Sequence, residues 1–145
     1  FDCMMLAGRY TLLDQSAIDD MLPLCKTEGA SVIIAAPFNS GISATGPIKG
    51  ARYDYSEASS EILEKARAID SICQRYDISL AAAALQFPFG HECVTSSVPG
   101  SKTPSEVEAN FNYLLTPIPD DFWEELKNER LISELAPLPQ SVQAH

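Results

Sequence analysis

Ser31-Val32-Ile33-Ile34-Ala35-Ala36-Pro37 is a short apolar run with three consecutive β-branched residues, stopped by a proline. A run of this length, apolar at both odd and even positions, predicts a parallel strand covered on both faces. Two other segments read in the same way, residues 1–8 and 93–98. Amphipathic stretches lie between and after them. Ser16-Ala-Ile-Asp19 has the spacing of a capping box, opening a helix through Met21, Leu22 and Cys25 that Gly29 ends. Residues 59–76 carry Ile62, Ala66, Ile69 and Cys73 on one stripe, widened by Leu63 and Ile72. Residues 80–87 form a short alanine-rich apolar helix halted by Pro88. Thr103 with Pro104 behind it caps a helix to about Tyr113, and residues 120–135 give a last one with Phe122, Leu126 and Ile132 facing the core. Residues 38–58 are rich in Gly, Ser, Ala and Pro, and loops this long inside compact domains are commonly functional or mobile. The order of elements is that of βα units on a parallel sheet.

The 145 residues amount to about one domain, and the composition, 46% hydrophobic and 21% charged, is that of an ordinary globular chain. Twenty acidic against ten basic side chains give a net charge of −10, which disfavours phosphate backbones and anionic lipid. Nucleic acid and membranes are therefore excluded as expected partners. No apolar run approaches the ~20 residues of a spanning helix. The four cysteines, Cys3, Cys25, Cys73 and Cys93, contain no C-x-x-C pair, and the only histidines are His91 and His145. These read as free, buried thiols in a reducing, cytoplasmic setting, with no metal site. The opening Phe1-Asp2-Cys3-Met4-Met5 has no initiator methionine and lies inside an apolar run, so it reads as a strand entered in mid-protein. Three parallel strands alone would also leave two bare sheet edges, the mark of part of something larger. Residues 136–145 read as a loosely held tail.

After Val98, the run Pro99-Gly100-Ser101-Lys102-Thr103 leads straight into a helix N-terminus. Gly100 permits close backbone approach, unpaired N–H groups and the helix dipole favour an anion, and Lys102 adds charge. On local grounds a phosphate cradle competes here with a plain glycine turn before a well-capped helix.

Three segments together resemble the aldo-keto reductases, most closely their NAD-dependent aldose and pyridoxal dehydrogenase branch. They are Leu6-Ala-Gly-Arg-Tyr-Thr-Leu-Leu-Asp-Gln15, then Ala36-Pro-Phe-Asn-Ser-Gly-Ile42 with Thr45-Gly46, then Val98-Pro-Gly-Ser-Lys-Thr-Pro-Ser-Glu-Val-Glu-Ala-Asn110; Leu80-Ala-Ala-Ala-Ala-Leu-Gln-Phe87 fits between them. The resemblance implies the C-terminal portion of a (β/α)8 barrel, its sixth to eighth strands, in a fold that needs about 250 residues. It implies an NAD(P)-dependent oxidoreductase moving hydride between nicotinamide and a carbonyl or alcohol of a sugar or pyridoxal-type substrate. The family's catalytic Asp, Tyr, Lys and His belong to earlier strands, so no residue here inherits a catalytic role and the chain alone is expected to be inactive. His91 reads as a plain turn residue. The remainder of its own barrel is the expected partner, beside a small-molecule substrate.

The resemblance assigns cofactor binding to Pro37, Phe38, Asn39, Ser40 and Gly41 after the seventh strand. After the eighth it assigns Pro99, Gly100, Ser101, Lys102, Glu106 and Asn110, with Asn110 at adenine. The continuation through Gly46, Gly50 and Tyr55 reads as a lid, mobile over residues 42–56. Glu106 stands where NADP-preferring relatives often carry an arginine for the 2′-phosphate, so NAD is expected over NADP. Its competing role is structural, closing a capping box onto the Thr103 N–H. Two departures stand out. Ala35 replaces the aromatic that many relatives stack on nicotinamide, and Ala7 replaces a glutamine; Phe38 or Tyr10 are the available substitutes for the ring. Two other readings stay open, a non-enzymatic half-barrel serving assembly and a small flavodoxin-like domain.

Overall fold

Every backbone polar group in a strand must find a partner, and the three apolar segments find theirs in one another. In the computed structural model, which describes residues 1–140, they form a three-stranded parallel sheet. β1 (Cys3–Ala7) lies beside β2 (Ser31–Ala35), which lies beside β5 (Val94–Val98). Met4 pairs with Val32 and Ala7 with Ala35; Ala35 in turn pairs with Val98, after an irregularity between Val32 and Ile33. Order and direction agree with the expectation from βα connectivity.

Coverage differs from expectation. Val32 and Ile34 are fully buried, whereas Met5 is 63% and Val98 48% exposed. Pairing puts Cys3, Met5 and Ala7 on the same face as Ile33, Ala35, Ser96 and Val98. That face is uncovered within the described residues, so β2 is packed on one side only. The same placement explains why Cys3 is exposed while Cys25, Cys73 and Cys93 are buried, all four as free thiols.

The helices gather on the other face. α1 (Met21–Glu28) is capped by Asp20 and ends at Gly29 in the left-handed region. The Ser16 capping box is not formed: the Ser16 hydroxyl and N–H both donate to Asp14, and residues Ser16–Ile18 make a separate 3-10 turn. Residues 38–58 are more structured than their composition suggests. They contain a 3-10 turn (Asn39–Gly41), a one-turn helix α2 (Ile42–Thr45) and an antiparallel hairpin, β3 (Arg52–Tyr53) with β4 (Ser56–Glu57).

α3 (Ser60–Arg75) is capped by Ser59 and buries Ala66, Ile69, Ile72 and Cys73, with Ile62 and Leu63 partly buried. α4 (Leu80–Gln86) buries every residue from Leu80 to Leu85; at Pro88 the chain tightens into a 3-10 turn (Phe87–Gly90). α5 (Pro104–Leu115) has no buried residue at all. α6 (Asp120–Asn128) buries Phe122, Trp123 and Leu126 but stops well before residue 135, because Arg130 adopts a left-handed φ of 57°. Ile132 is buried all the same, from the turn beyond the helix.

Aromatic rings fill the space under the helices. Tyr10 lies 5.4 Å from Phe87 and edge-on to His91, Phe87 lies 6.3 Å from Trp123, and Trp123 meets Phe122 edge-on. His91 is a core residue whose Nδ1 accepts the Cys93 N–H; burial pulls its pKa down, towards the neutral ring. Of the tail expected to be loose, Ala136 and Pro139 are buried while Pro137 and Gln140 are exposed. The Ala136 carbonyl accepts Lys127 Nζ, and a Cβ placed on Gly90 would lie 2.3 Å from the Pro137 carbonyl. Residues 141–145 lie outside the described part.

Candidate functional site

The two segments singled out for a dinucleotide leave neighbouring strand ends. Ala35 and Val98 are paired, so residues 37–41 and 99–103 start side by side at the C-terminal edge of the sheet. Ligands of parallel α/β sheets gather at this edge.

In the first segment the backbone is strained. Ala36, Asn39 and Ser40 all have positive φ (54°, 47° and 62°), followed by Gly41 at 105°. Left-handed conformations cost a non-glycine residue about 1 kcal/mol or more, and such strain concentrates at functional turns. The turn is closed by N–H donation from Asn39 to the Ala36 carbonyl and from Gly41 and Ser43 to that of Phe38. Pro37, Phe38 and Asn39 are buried, leaving Ser40 exposed and Gly41 half-buried. Asn39 is 2% exposed, yet neither its amide nitrogen nor its amide oxygen has a partner, and the buried hydroxyl of Ser43 is also unpaired. A buried polar atom left unpaired costs about 1–3 kcal/mol. These orphaned groups are what a polar ligand or water at this turn would satisfy. Ser43 was not legible as a site residue, since nothing in its sequence context separates it from an ordinary helix-start serine.

The second segment is open. Gly100, Ser101 and Lys102 are exposed, and a side chain built on Gly100 would meet nothing within 4 Å. Thr103 caps α5 by accepting the Glu106 N–H, and the Glu106 carboxylate turns back to accept the N–H of Lys102. The reciprocal bond of the capping box thus falls on Lys102, one residue earlier than Thr103. Asn110 Nδ2 donates to Ser101 Oγ at 2.9 Å, joining two candidate binding residues to each other.

The hairpin is pinned beside this edge. Arg9 bridges Asp14 and Asp54 at 3.0 Å each, the Tyr53 hydroxyl donates to Asp14, and Ser40 Oγ accepts the Tyr55 N–H. Burial, aided by the nearby carboxylates, pushes Tyr53 up to about 12, so it remains a donor. For Asp14, burial pulls the pKa up, but hydrogen bonds from Ser16 and Arg9 outweigh it and hold the carboxyl below its ordinary value. Tyr55, at the hairpin tip with φ 65°, is 82% exposed. The two aromatics considered as stacking rings are not available: Tyr10 is fully buried and Phe38 nearly so. Both are held by packing. Among the described residues no cluster of three His, Cys, Asp or Glu could hold a metal, and no helix is long and apolar enough to cross a membrane.

Comparison with known proteins speaks to the family and the fold. The chain is 42% identical over 132 residues to a pyridoxal 4-dehydrogenase from Microbacterium luteolum, covering 91% of the chain and 39% of that protein. It is 39% identical over 132 residues to a D-threo-aldose 1-dehydrogenase from a Pseudomonas species, covering 90% of the chain and 40% of the relative. The chain therefore spans about two-fifths of the length of these curated relatives. Among solved structures, the apo form of aldo-keto reductase AKR11C1 from Bacillus halodurans superimposes with a TM-score of 0.68 at 21% identity, over 92% of this chain and 44% of that one. The glycerol dehydrogenase AKR11B4 from Gluconobacter oxydans gives 0.63 at 12% identity, over 99% and 46%. These two likenesses speak to the fold, an α/β arrangement shared with aldo-keto reductase barrels. The model of the aldo/keto reductase family matches residues 1–129, nearly the whole described chain, and to that family the chain belongs.

Proposed function

We propose that this chain is the cofactor-binding C-terminal portion, about strands six to eight, of an NAD(P)-dependent oxidoreductase barrel. The observation that carries the reading is the pairing of Ala35 with Val98. It sets the strained turn, with the unpartnered side-chain amide of Asn39, beside the open Pro99–Lys102 turn and the N-terminus of α5. Together they offer backbone N–H groups, a helix dipole and one lysine to a pyrophosphate. When bound, the nicotinamide cofactor would accept or supply the hydride. Ser40, Gly41 and the 99–102 turn would hold its phosphates, and Asn110, which donates to Ser101 in this structure, would meet its adenine end. The protein groups that move the proton belong to the remainder of the barrel, which we place over the uncovered face of Met5, Ile33 and Val98 and over the exposed side of α5. The sites on this chain supply binding and not acid–base chemistry.

The substrate we propose is a sugar hemiacetal or a pyridoxal-type alcohol, by similarity to the two dehydrogenases above. NAD is favoured over NADP because the Glu106 carboxylate sits against the Lys102 N–H. There it adds negative charge beside any 2′-phosphate. Calorimetric titration of the full protein with NAD tests the reading. Micromolar binding that weakens about tenfold in Lys102→Ala supports it, whereas the absence of any NAD or NADP binding would favour a non-enzymatic assembly module instead.

A further inference from the structure

A groove of about 440 Å³ opens between the turn after β1, the second turn of α3 and the turn after α6. None of its lining residues belongs to the segments discussed for the cofactor. Two cations line it, Lys65 and Arg130, and neither forms an ion pair among the described residues. The Lys65 ammonium is instead tied to an uncharged acceptor, donating to the Leu13 carbonyl at 2.8 Å. Gln15, held by the Thr11 and Leu12 carbonyls and by the Ser133 N–H, stiffens the wall between them. Asp19 and Glu134 also line the groove, and Asp14 and Glu61 act on Lys65 from nearby.

We propose that this groove binds small anionic aldehydes, captured as a reversible imine on Lys65 while Arg130 holds the anion. An amine becomes a nucleophile only after losing its proton, and a half-buried lysine without a carboxylate partner loses it more readily than an exposed one. Burial lowers the pKa of Lys65 against the weaker opposing pull of Asp14 and Glu61. The nitrogen lone pair attacks the aldehyde carbon and forms the C–N bond. One proton passes from nitrogen to oxygen to give the carbinolamine, which then loses its hydroxyl together with the remaining N–H proton as water, leaving C=N. No electrons are exchanged, so no oxidant or reductant is needed. Arg130 gives a phosphate or carboxylate a forked, permanently charged donor, which separates anionic aldehydes from neutral ones.

The full protein carrying this chain is incubated with a substoichiometric amount of pyridoxal phosphate, trapped with borohydride and mapped by peptide mass spectrometry. The expected result is label predominantly on Lys65, ahead of the exposed Lys49 and Lys102. In Arg130→Gln, labelling of Lys65 by pyridoxal phosphate should fall about fivefold while labelling by neutral glycolaldehyde stays the same, as loss of one charge-assisted contact requires. Inorganic phosphate should protect Lys65 from pyridoxal phosphate only. Label distributed by exposure, with Lys49 and Lys102 ahead of Lys65, overturns the proposal, and so does an Arg130→Gln protein that labels like the parent with both aldehydes.

Discussion

α3 and α5 have the same grammar and different fates. Each begins with a hydroxyl cap, Ser59 accepting from Ile62 and Thr103 from Glu106, and each carries an apolar stripe at helical spacing. In α3 the stripe of Ala66, Ile69 and Cys73 is fully buried. In α5 the stripe of Val107, Phe111, Leu114 and Leu115 is 40–64% exposed. Helices of this length are marginal without tertiary cover, so α5 leans on its cap, its proline at the first position and its contact with α4, where Gln86 donates to the Tyr113 and Thr116 carbonyls. The contrast teaches that periodicity announces a face needing cover but not whether the cover lies in the same chain.

The sharpest way to break the contrast is truncation of the two stripes. Ile69→Ala should lower the unfolding free energy of the 145-residue chain by about 3 kcal/mol, the usual cost of a buried cavity. Phe111→Ala should change it by less than about 0.5 kcal/mol. Denaturant midpoints that shift equally would put α5 in the core. The next effect concerns what the open end of α5 does for a ligand. In the full enzyme NAD should be preferred by at least about tenfold in kcat/KM, or about 1.4 kcal/mol, and Glu106→Arg should narrow or reverse that ratio. Equal use of both cofactors by the parent enzyme would sink the idea.

A smaller effect separates the helices by their caps. Thr103→Ala removes about 1 kcal/mol of local stability. Because α5 has little packing to fall back on, its amides should exchange faster while those of α3 stay protected. Uniform acceleration across both helices would contradict this. The smallest concerns the polar pins on the hairpin. Asp14 has a depressed pKa, so its contribution is present above the ordinary carboxylate range and is lost as pH falls through its folded value. Asp14→Asn should therefore cost about 0.5 kcal/mol near neutrality, a modest figure because Arg9 is half exposed. The difference from the parent should shrink as pH falls through the folded pKa of Asp14 and vanish below it. A difference that persists there would assign Asp14 a role independent of charge.

The parallel sheet, its order, the stripe of α3 and the cap of α5 were readable because period and capping chemistry agree at those places. Failures occurred where a local pattern had a second solution. Ser16 and Asp19 have capping-box spacing, but Asp14 captures Ser16 and Asp20 caps the helix instead. Ile132 continues the helical phase of α6, yet its burial comes from a turn that Arg130 makes without the glycine that would have announced it. The hairpin turn at Asp54 and Tyr55 lacks a glycine for the same reason. At the site, the strand-end positions of both segments followed from sequence, because strand ends and helix caps are local features. The burial of Asn39 and the capture of the Lys102 N–H by Glu106 depend on tertiary packing and on a one-residue choice that spacing does not resolve.

Gln15 joins the Thr11 and Leu12 carbonyls to the Ser133 N–H, a contact spanning 118 positions of chain. Contacts so remote in sequence bear the largest loop-closure entropy and tend to form late. The clasp is thus a kinetic lock: shortening Gln15 should leave the refolding rate nearly unchanged and speed unfolding. That amide side chain thus bears on how long the native chain persists more than on how fast it arrives.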